Sequence, residues 1–297
     1  MVTPHVHLLA VFASGPNGGN PAPIVAEAAG MSDEDMQAVA RASGLESGFV
    51  LPAPPGSDCD FGIRFWVPNH EMEMCGHVTV GAVWLLHRLG MLTRDRAAIW
   101  TRSGRVDAQL VDCSPSDSRV EITQPRGYVE TLPAAEAVEA GILSVLGITS
   151  DDLAPLPIQN ACTSRTKTLV PLKSMTILDG LRPNFRRMEE VCERIGSTGL
   201  YPYAASDLDG QVFDARQFPK SSGYPEDAAT GIAAAALAFG LVANKLVDLS
   251  ERPIRVRQGR AMGRPSEIGV RLRIDDRGDA CGCWLGGSAR IDRVSGL

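Results

Sequence analysis

Positive charge is in short supply in this chain. Its 297 residues include 29 lysines and arginines against 35 aspartates and glutamates, which gives a formal net charge of −6. Proteins that bind nucleic acid or an anionic membrane usually concentrate basic residues on one surface. The composition therefore predicts neither a nucleic-acid partner nor a membrane partner.

Long apolar segments are also missing. The most apolar stretch runs from about residue 78 to 89 and is too short for a membrane span, which needs about 20 apolar residues. The first five residues, Met1 to His5, contain no apolar core of a signal peptide. We therefore expect a cytoplasmic location.

The sequence lacks the common signatures of disulfide frameworks and bound cofactors. Its seven cysteines are odd in number, and no pair has zinc-finger spacing. The glycines near Gly15 and Gly18 do not open a helix after a strand, as a dinucleotide-binding loop would require. We expect no structural disulfides, and no bound metal, flavin or nicotinamide.

One stretch that is present organises the chain: a polar turn at 70–75 that runs into Gly76 and then into an apolar segment. A helix that is apolar all round is buried. Its first N–H groups, around Gly76 to Thr79, lack helical acceptors and form a ready site for an anion.

The same design returns at 224–241, where an acidic turn leads through Thr230 and Gly231 into a second apolar helix. We interpret the repeat as two similar domains, 1–126 and 127–285, with 286–297 as a tail that could return to the first. If the two helix starts face each other, the cleft between them binds a carboxylate. The alternative is two unrelated core helices.

The remaining elements favour an α+β fold over a Rossmann fold, because strands follow one another without regular βαβ spacing. A helix is predicted to begin after Ser32 and to end near Gly44, and a strand follows from Leu45. Glu46 therefore lies at a helix-to-strand corner. Further helices are predicted at 134–146 and 184–195.

Five stretches together resemble the phenazine-biosynthesis PhzF family, which shares the diaminopimelate epimerase fold. They occur in the family's order, at 18–21, 45–50, 75–79, 226–231 and 257–266. The resemblance implies two pseudo-symmetric domains, each a curved, barrel-like antiparallel β-sheet wrapped around a central buried helix. It also implies a cofactor-free isomerase that is usually a homodimer, with its site between the domains.

The resemblance also implies roles for individual residues. Glu46 matches the family's proton-transfer glutamate, while His77 and Asp227 match residues that orient the substrate and assist the shift. The helix starts are implied to hold a carboxylate through Cys75, Gly76, Thr230, Gly231 and Ile232. Related racemases use one cysteine at each helix start, and here Asp227 is interpreted as replacing the second thiol, which disfavours two-thiol racemisation.

Elementary chemistry agrees with a carboxyl group in the central role. Moving a proton from one carbon to another requires a group that can both take and return it. A carboxyl in a closed, weakly polar cleft suits this work because burial brings its pKa closer to neutrality. A histidine can share the proton or stabilise a developing enolate.

Three functions remain open on the sequence. The first is an isomerase that moves a double bond or hydrogen on a small, carboxylate-bearing, amino-acid-like metabolite. The second is an amino-acid racemase or epimerase that uses Cys75 with Asp227 or Glu46. The third is a non-catalytic binding protein, because Ile232 stands where the family often has serine and Ala228 where proline is common. These two differences leave the substrate open.

Overall fold

The computed structural model describes residues 5–111, 118–132 and 141–296. Cys113 and most of the predicted helix at 134–146 lie outside the described residues; within that helix, residues 142–146 are helical. Of the helices in the described ranges, none combines the length and the apolar character that a membrane crossing requires.

The described residues of the first part of the chain form two helices and eight strands. In order, they are β1 His5–Val11, β2 Asn20–Val25, α1 Asp33–Ser43, β3 Ser47–Pro52, β4 Phe61–Trp66, β5 Glu71–Met72, α2 Gly76–Arg88, β6 Arg96–Thr101, β7 Gly104–Val111 and β8 Arg119–Pro125.

The second part continues with strands that again alternate irregularly with helices. They are β9 Tyr128–Thr131, α3 Ile142–Leu146, β10 Gln159–Cys162, β11 Thr166–Pro171, α4 Met175–Gly180, α5 Met188–Arg194, β12 Gly199–Asp207, β13 Val212–Ala215, β14 Phe218–Pro219, α6 Gly231–Ala243, β15 Ile254–Gln258, β16 Ser266–Ile274 and β17 Ala280–Gly296. The helix predicted at 184–195 is α5 preceded by a 3₁₀ turn at Phe185–Arg187.

The chain divides into two compact units. The first comprises residues 1–123 together with 286–297, and the second comprises residues 124–285. The chain thus leaves the first unit within β8 and returns to it within β17. The boundary predicted at 126/127 lies a few residues beyond the point where the first unit ends.

The two units pair their strands in the same order. In the first, β1–β2, β3–β4 and β6–β7 are antiparallel, while β2–β3 and β4–β6 are parallel. In the second, β10–β11, β12–β13 and β15–β16 are antiparallel, while β11–β12 and β13–β15 are parallel. In the sequence, one or two helices lie between the two strands of each parallel pair, because two parallel strands must be joined by a crossover connection. This repeat confirms the predicted α+β fold with similar halves.

The central helix of each unit is buried along most of its length, as predicted. In α2, residues 76–86 are buried, and in α6 nearly all residues from 231 to 241 are. Glycines let strands approach these helices closely. A Cβ on Gly81 would lie 2.8 Å from Val11 Cγ2, and one on Gly240 would overlap the side chain of Leu169.

The corner that carries Glu46 forms as the sequence predicts. The Ser32 hydroxyl accepts a hydrogen bond from the Asp35 N–H at 3.2 Å, and the Asp35 carboxylate accepts one from the Ser32 N–H at 3.1 Å. This capping box starts α1. Gly44 ends the helix in the left-handed region, with φ of 67°, which favours glycine. The chain then turns through Glu46 into β3.

A bidentate arginine–glutamate pair, in which the glutamate side chain is 10% exposed, fastens the acidic turn ahead of each central helix. In the first unit, Arg64 Nε and a terminal guanidinium nitrogen donate to both carboxylate oxygens of Glu71, at 2.7 and 2.9 Å. In the second, Arg216 binds Glu226 in the same bidentate way, at 2.8 and 2.7 Å. Each glutamate lies five residues before the first residue of its helix.

The arginines also tie these turns to the rest of their units. The guanidinium of Arg216 lies 4.9 Å from the centre of the Phe218 ring and donates to the Leu178 and Leu181 carbonyls at 3.0 and 3.2 Å. In the first unit, burial would raise the pKa of Glu71, but hydrogen bonds from Arg64 and Arg102 bring it below its ordinary value. Both glutamates therefore act as anchors.

We predict that Glu226→Ala lowers the free energy of unfolding by about 3 kcal/mol at pH 7, because it leaves the buried Arg216 without its counter-charge. The control is Glu190→Ala, which removes an exposed pair with Arg194 four residues away and should cost under about 0.5 kcal/mol. Urea unfolding of both variants gives the comparison. Equal losses in the two variants would contradict the anchoring role.

Candidate active site

Three predicted site residues meet in the first unit. The Cys75 thiol donates to Glu46 Oε2 at 3.2 Å and lies 3.4 Å from His77 Nδ1, while His77 Nδ1 lies 3.5 Å from Glu46 Oε2. Cys75 and His77 are buried, and the Glu46 side chain is 27% exposed. Among described residues, both neighbours contact the same oxygen of Glu46, and Oε1 has no hydrogen-bond partner.

Backbone geometry explains why these side chains meet. β3 passes so close to the first turn of α2 that a Cβ on Gly48 would overlap Val78. Cys75 precedes the helix in an extended conformation, and its side chain caps no helical N–H. The Thr79 N–H and hydroxyl both donate to the Cys75 carbonyl, at 3.0 and 2.8 Å. The Thr79 N–H therefore cannot bind an anion. Of the helix-start amides that were predicted to bind one, those that precede Thr79 remain.

One ring nitrogen of His77 is buried and has no hydrogen-bond partner among the described residues. Its Nε2 atom is buried and makes no hydrogen bond to any described residue, although Nδ1 faces Cys75 and Glu46. Leaving a buried polar atom unpaired costs stability, and such atoms require an explanation. A substrate oxygen near Nε2 would provide the missing partner.

The same three residues could in principle hold a metal ion. One ligand atom from each of Glu46, Cys75 and His77 lies within 4.8 Å of the others. A thiolate, an imidazole and a carboxylate are zinc ligands. The Cys75 thiol, which donates a hydrogen bond to Glu46 here, would have to lose its proton to bind a metal. The absence of a metal remains a prediction from the sequence.

The second unit builds a hydrogen-bonded network at the start of α6. The Thr230 hydroxyl donates to Asp227 Oδ2 at 2.5 Å, and Gln258 Nε2 donates to the Asp227 carbonyl at 2.7 Å. The Gln258 carbonyl oxygen accepts from the Tyr201 hydroxyl at 3.0 Å. Burial and, secondarily, the Asp227 carboxylate raise the pKa of Tyr201, so its hydroxyl stays a donor.

The residue that corresponds to Cys75 is Thr230. Each stands immediately before the first residue of its central helix and caps no helical N–H with its side chain. The sequence interpretation placed Asp227 at this position, but the structure places Asp227 three residues earlier, in a bridge to Gln217. The second helix start therefore offers a hydroxyl where a two-thiol racemase would have a cysteine.

Gly231 and Ile232 form the first turn of α6. Gly231 is buried, and a Cβ there would lie 2.7 Å from Leu285 Cδ2, so a larger residue would force the turn away. Ile232 is partly exposed, whereas its neighbour Ala233 is buried. The branched side chain of Ile232 therefore reaches the surface of its unit. The structure brings Asp227, Thr230, Gly231 and Ile232 together in one turn.

Sequence reasoning missed the most unusual residue of this region. Lys167 on β11 is only 5% exposed. Burial lowers the pKa of Lys167 to about 8. The Asp227 carboxylate opposes this lowering, and the charge of Arg165 adds to it. A lysine inside the otherwise apolar and threonine-rich strand 166–171 was the available signal. Gln258 and Arg216 were missed as well, because their partners are distant in sequence.

Comparisons with known proteins agree with this geometry. A family model described as phenazine biosynthesis-like protein, PhzC-PhzF, matches residues 9–290. The chain is 32% identical over 278 residues to an uncharacterized isomerase, YddE, of Escherichia coli, covering 92% of this chain and 91% of that protein. It is 31% identical over 271 residues to the trans-2,3-dihydro-3-hydroxyanthranilate isomerase of Pseudomonas aeruginosa, covering 88% and 87%.

Solved structures show the same fold. A Bacillus anthracis phenazine biosynthesis protein of the PhzF family superposes with a TM-score of 0.88 at 26% identity, over 100% of this chain and 99% of that one. A probable proline racemase from Agrobacterium radiobacter superposes with a TM-score of 0.66 at 12% identity, over 99% of this chain and 93% of that one, which is a likeness of fold.

Fold and site thus define an isomerase built on the epimerase-like fold. More particularly, the chain belongs to the phenazine biosynthesis-like, or PhzC-PhzF, family, whose model covers nearly all of it.

We predict that Lys167→Met raises the free energy of unfolding by up to about 3 kcal/mol at pH 7, because the folded state holds the lysine proton less tightly than the unfolded state. The sign follows from linkage: between pH 8 and the ordinary lysine pKa the unfolded chain binds more protons, so wild-type stability gains on the variant as pH rises. The advantage of the variant should therefore shrink above pH 8.

Urea unfolding at several pH values measures this difference, with the exposed Lys173→Met as the matched control. A stability difference for Lys167→Met that stays constant with pH would contradict the prediction.

Proposed function

We propose that the protein catalyses a cofactor-free transfer of a proton between two carbons of a small, carboxylate-bearing, amino-acid-like metabolite. The transfer is a double-bond or 1,3-type hydrogen shift. The observation that carries this proposal is the cluster of Glu46, Cys75 and His77 at the start of a buried helix. We expect the setting to be a cytoplasmic biosynthetic pathway and the enzyme to be a homodimer.

Glu46 acts as the general acid and base in this mechanism. Its Oε2 is held by Cys75 and His77, so Oε1 is the oxygen left to meet the substrate. Oε1 takes the proton from one carbon, and the electron pair of that C–H bond passes into the conjugated system. The carboxyl proton exchanges with solvent, because the Glu46 side chain is 27% exposed, and the same carboxyl then delivers a proton to a second carbon while the double bond moves.

His77 stabilises the charge that develops on the substrate. Its buried Nε2 has no partner among described residues, so it is available to an oxygen that gains charge as the enolate forms. The amides at the starts of α2 and α6, including those of Gly76 and Gly231, bind the substrate carboxylate. That both starts serve one substrate, with Asp227 orienting it, remains a prediction.

The substrate class follows from chemistry and from the relatives. An isomerase that acts on trans-2,3-dihydro-3-hydroxyanthranilate acts on an unsaturated cyclic amino acid. Such a molecule has a carboxylate for the helix starts and a conjugated system that can accept the electron pair. We therefore propose unsaturated cyclic amino acids as the substrates to be tested first.

A racemase or epimerase is the second candidate. Its support is Cys75, a thiol at the start of α2 in a fold that a proline racemase shares. Against it, Thr230 stands at the corresponding position, and a neutral hydroxyl is a poor base for a C–H proton. A 1,3-shift needs one acid/base group and therefore fits the described residues better.

We predict that Glu46→Gln lowers turnover by about 10²–10⁴-fold and leaves the fold intact, because an amide keeps the shape of the side chain but cannot carry the proton. Deuterium incorporation from D₂O into a panel of unsaturated cyclic amino acids, followed by mass spectrometry, measures the effect. Glu73→Gln, an exposed glutamate in the acidic turn before α2, is the control and should behave as wild type.

Undiminished incorporation by Glu46→Gln would show that another group moves the proton. A wild-type protein that incorporates no deuterium into any member of the panel would instead favour a non-catalytic binding protein.

We predict that the wild type turns over trans-2,3-dihydro-3-hydroxyanthranilate poorly and that Ile232→Ser improves this activity. A polar substrate group that loses a buried partner costs about 1–3 kcal/mol, or roughly ten- to a hundredfold in specificity. The ratio of kcat/KM for this compound to that for its analogue without the hydroxyl gives the answer. Efficient wild-type turnover of the hydroxylated compound would show that Ile232 is a neutral replacement.

A further inference from the structure

Two buried polar side chains of the second unit have no hydrogen-bonding partners. Lys167 is 5% exposed, and its ammonium makes no hydrogen bond or ion pair with any described residue. Gln217 is 1% exposed, and neither its side-chain nitrogen nor its side-chain oxygen has a partner among described residues. Buried polar groups in folded proteins are nearly always paired, so the buried side-chain amide of Gln217 requires an explanation, and the Lys167 ammonium is available to the same ligand.

Strand register brings these two side chains to the same place. β11 and β12 are parallel with Thr168 opposite Leu200, so one residue earlier Lys167 lies beside Gly199. Neighbouring residues in register project on the same face of a sheet. A Cβ on Gly199 would overlap the side-chain amide of Gln217, so this amide occupies the space above Gly199. Lys167 and Gln217 therefore share one face.

This face looks toward α6, and Gln217 connects it to the turn before that helix. Leu169, two residues after Lys167 and hence on the same face, contacts Gly240 in α6. The Gln217 carbonyl accepts from the Asp227 N–H at 3.1 Å, which joins Gln217 to the turn before α6. The Asp227 carboxylate is near enough to Lys167 to perturb its titration. The unpaired groups therefore lie beside the helix start that was proposed above to hold a carboxylate.

The side chains of Lys167 and Gln217 can both donate hydrogen bonds to a ligand. The lysine ammonium and the glutamine amide both donate hydrogen bonds, and the first amides of α6 donate as well. An ammonium, an amide and a helix start together suit a carboxylate, which can accept from all three and supplies the opposite charge. The glutamine oxygen is left to accept from a substrate amino or hydroxyl group.

We propose that Lys167 and Gln217 form a carboxylate-binding subsite beside the start of α6, and that this subsite selects anionic over neutral substrates. The proposal rests on the proposed function for the identity of the ligand as a small amino-acid-like acid. Lys167 supplies the charge and Gln217 the second side-chain donor. Asp227, which is engaged by the Thr230 hydroxyl, borders the subsite without filling it.

The test compares binding of anthranilate, a planar cyclic amino acid, with binding of anthranilamide, its neutral counterpart, by isothermal titration at pH 7. The wild type should prefer anthranilate by about 10- to 100-fold, the range that a charged hydrogen bond provides. Lys167→Met should abolish the preference, and Gln217→Met should weaken anthranilate binding about tenfold. Lys173→Met, which changes an exposed lysine just after β11, should bind as wild type.

Two results would overturn the proposal: a wild type that does not prefer anthranilate, or a preference that survives in both Lys167→Met and Gln217→Met. Circular dichroism of each variant confirms folding. Glu46→Gln is included because it should bind anthranilate normally while losing proton transfer. A failure of the subsite is thereby separated from a failure of the catalytic assignment, which the deuterium experiment reports on its own.

Discussion

The bidentate pair between an arginine and a largely buried glutamate is the constraint on which both helix starts depend. Arg64 holds Glu71 in the first unit and Arg216 holds Glu226 in the second, each five residues before an apolar helix. An acidic turn without such a partner would repel itself and stay solvated. Once neutralised, it can lie against the core and deliver the chain to a helix whose first amides remain available.

The two units use this shared frame for different chemistry. The first places a thiol, an imidazole and a carboxyl group around one point, with Glu46 supplied by the separate corner between α1 and β3. The second places a threonine hydroxyl where the first has Cys75, and surrounds it with neutral donors and acceptors from Tyr201 and Gln258. The proposed acid/base centre in the first unit and the proposed binding centre in the second suit an isomerase better than a symmetric two-base racemase.

Much of this arrangement could be predicted because its signals are local. The Ser32 cap and Gly44 fix the ends of α1, so the position of Glu46 at a corner could be predicted from the sequence. The two apolar segments that begin with glycine indicated that the chain contains two similar units. Thr230 was not identified as the counterpart of Cys75, because the sequence interpretation matched the acidic Asp227 to Cys75 instead of counting back one residue from the start of each helix. The parallel pairs were missed because they join strands separated by whole helices.

The hydrogen bonds from Arg216 to the Leu178 and Leu181 carbonyls and the burial of Lys167 depend on contacts between segments that are distant in sequence. No local pattern reports them. Gln217 also violates the usual rule that buried polar groups are satisfied, and sequence reasoning that assumes consistency is expected to fail at such a position. Functional sites are where proteins accept this kind of cost.

The central claim is that one carboxyl group moves a proton from one carbon to another. The most direct measurement is NMR of the product formed by the wild type from an unsaturated cyclic amino acid in D₂O. The account predicts deuterium on a carbon different from the one that lost its proton, together with a shifted double bond. Deuterium at the original carbon with inverted configuration would contradict the account and indicate a racemase.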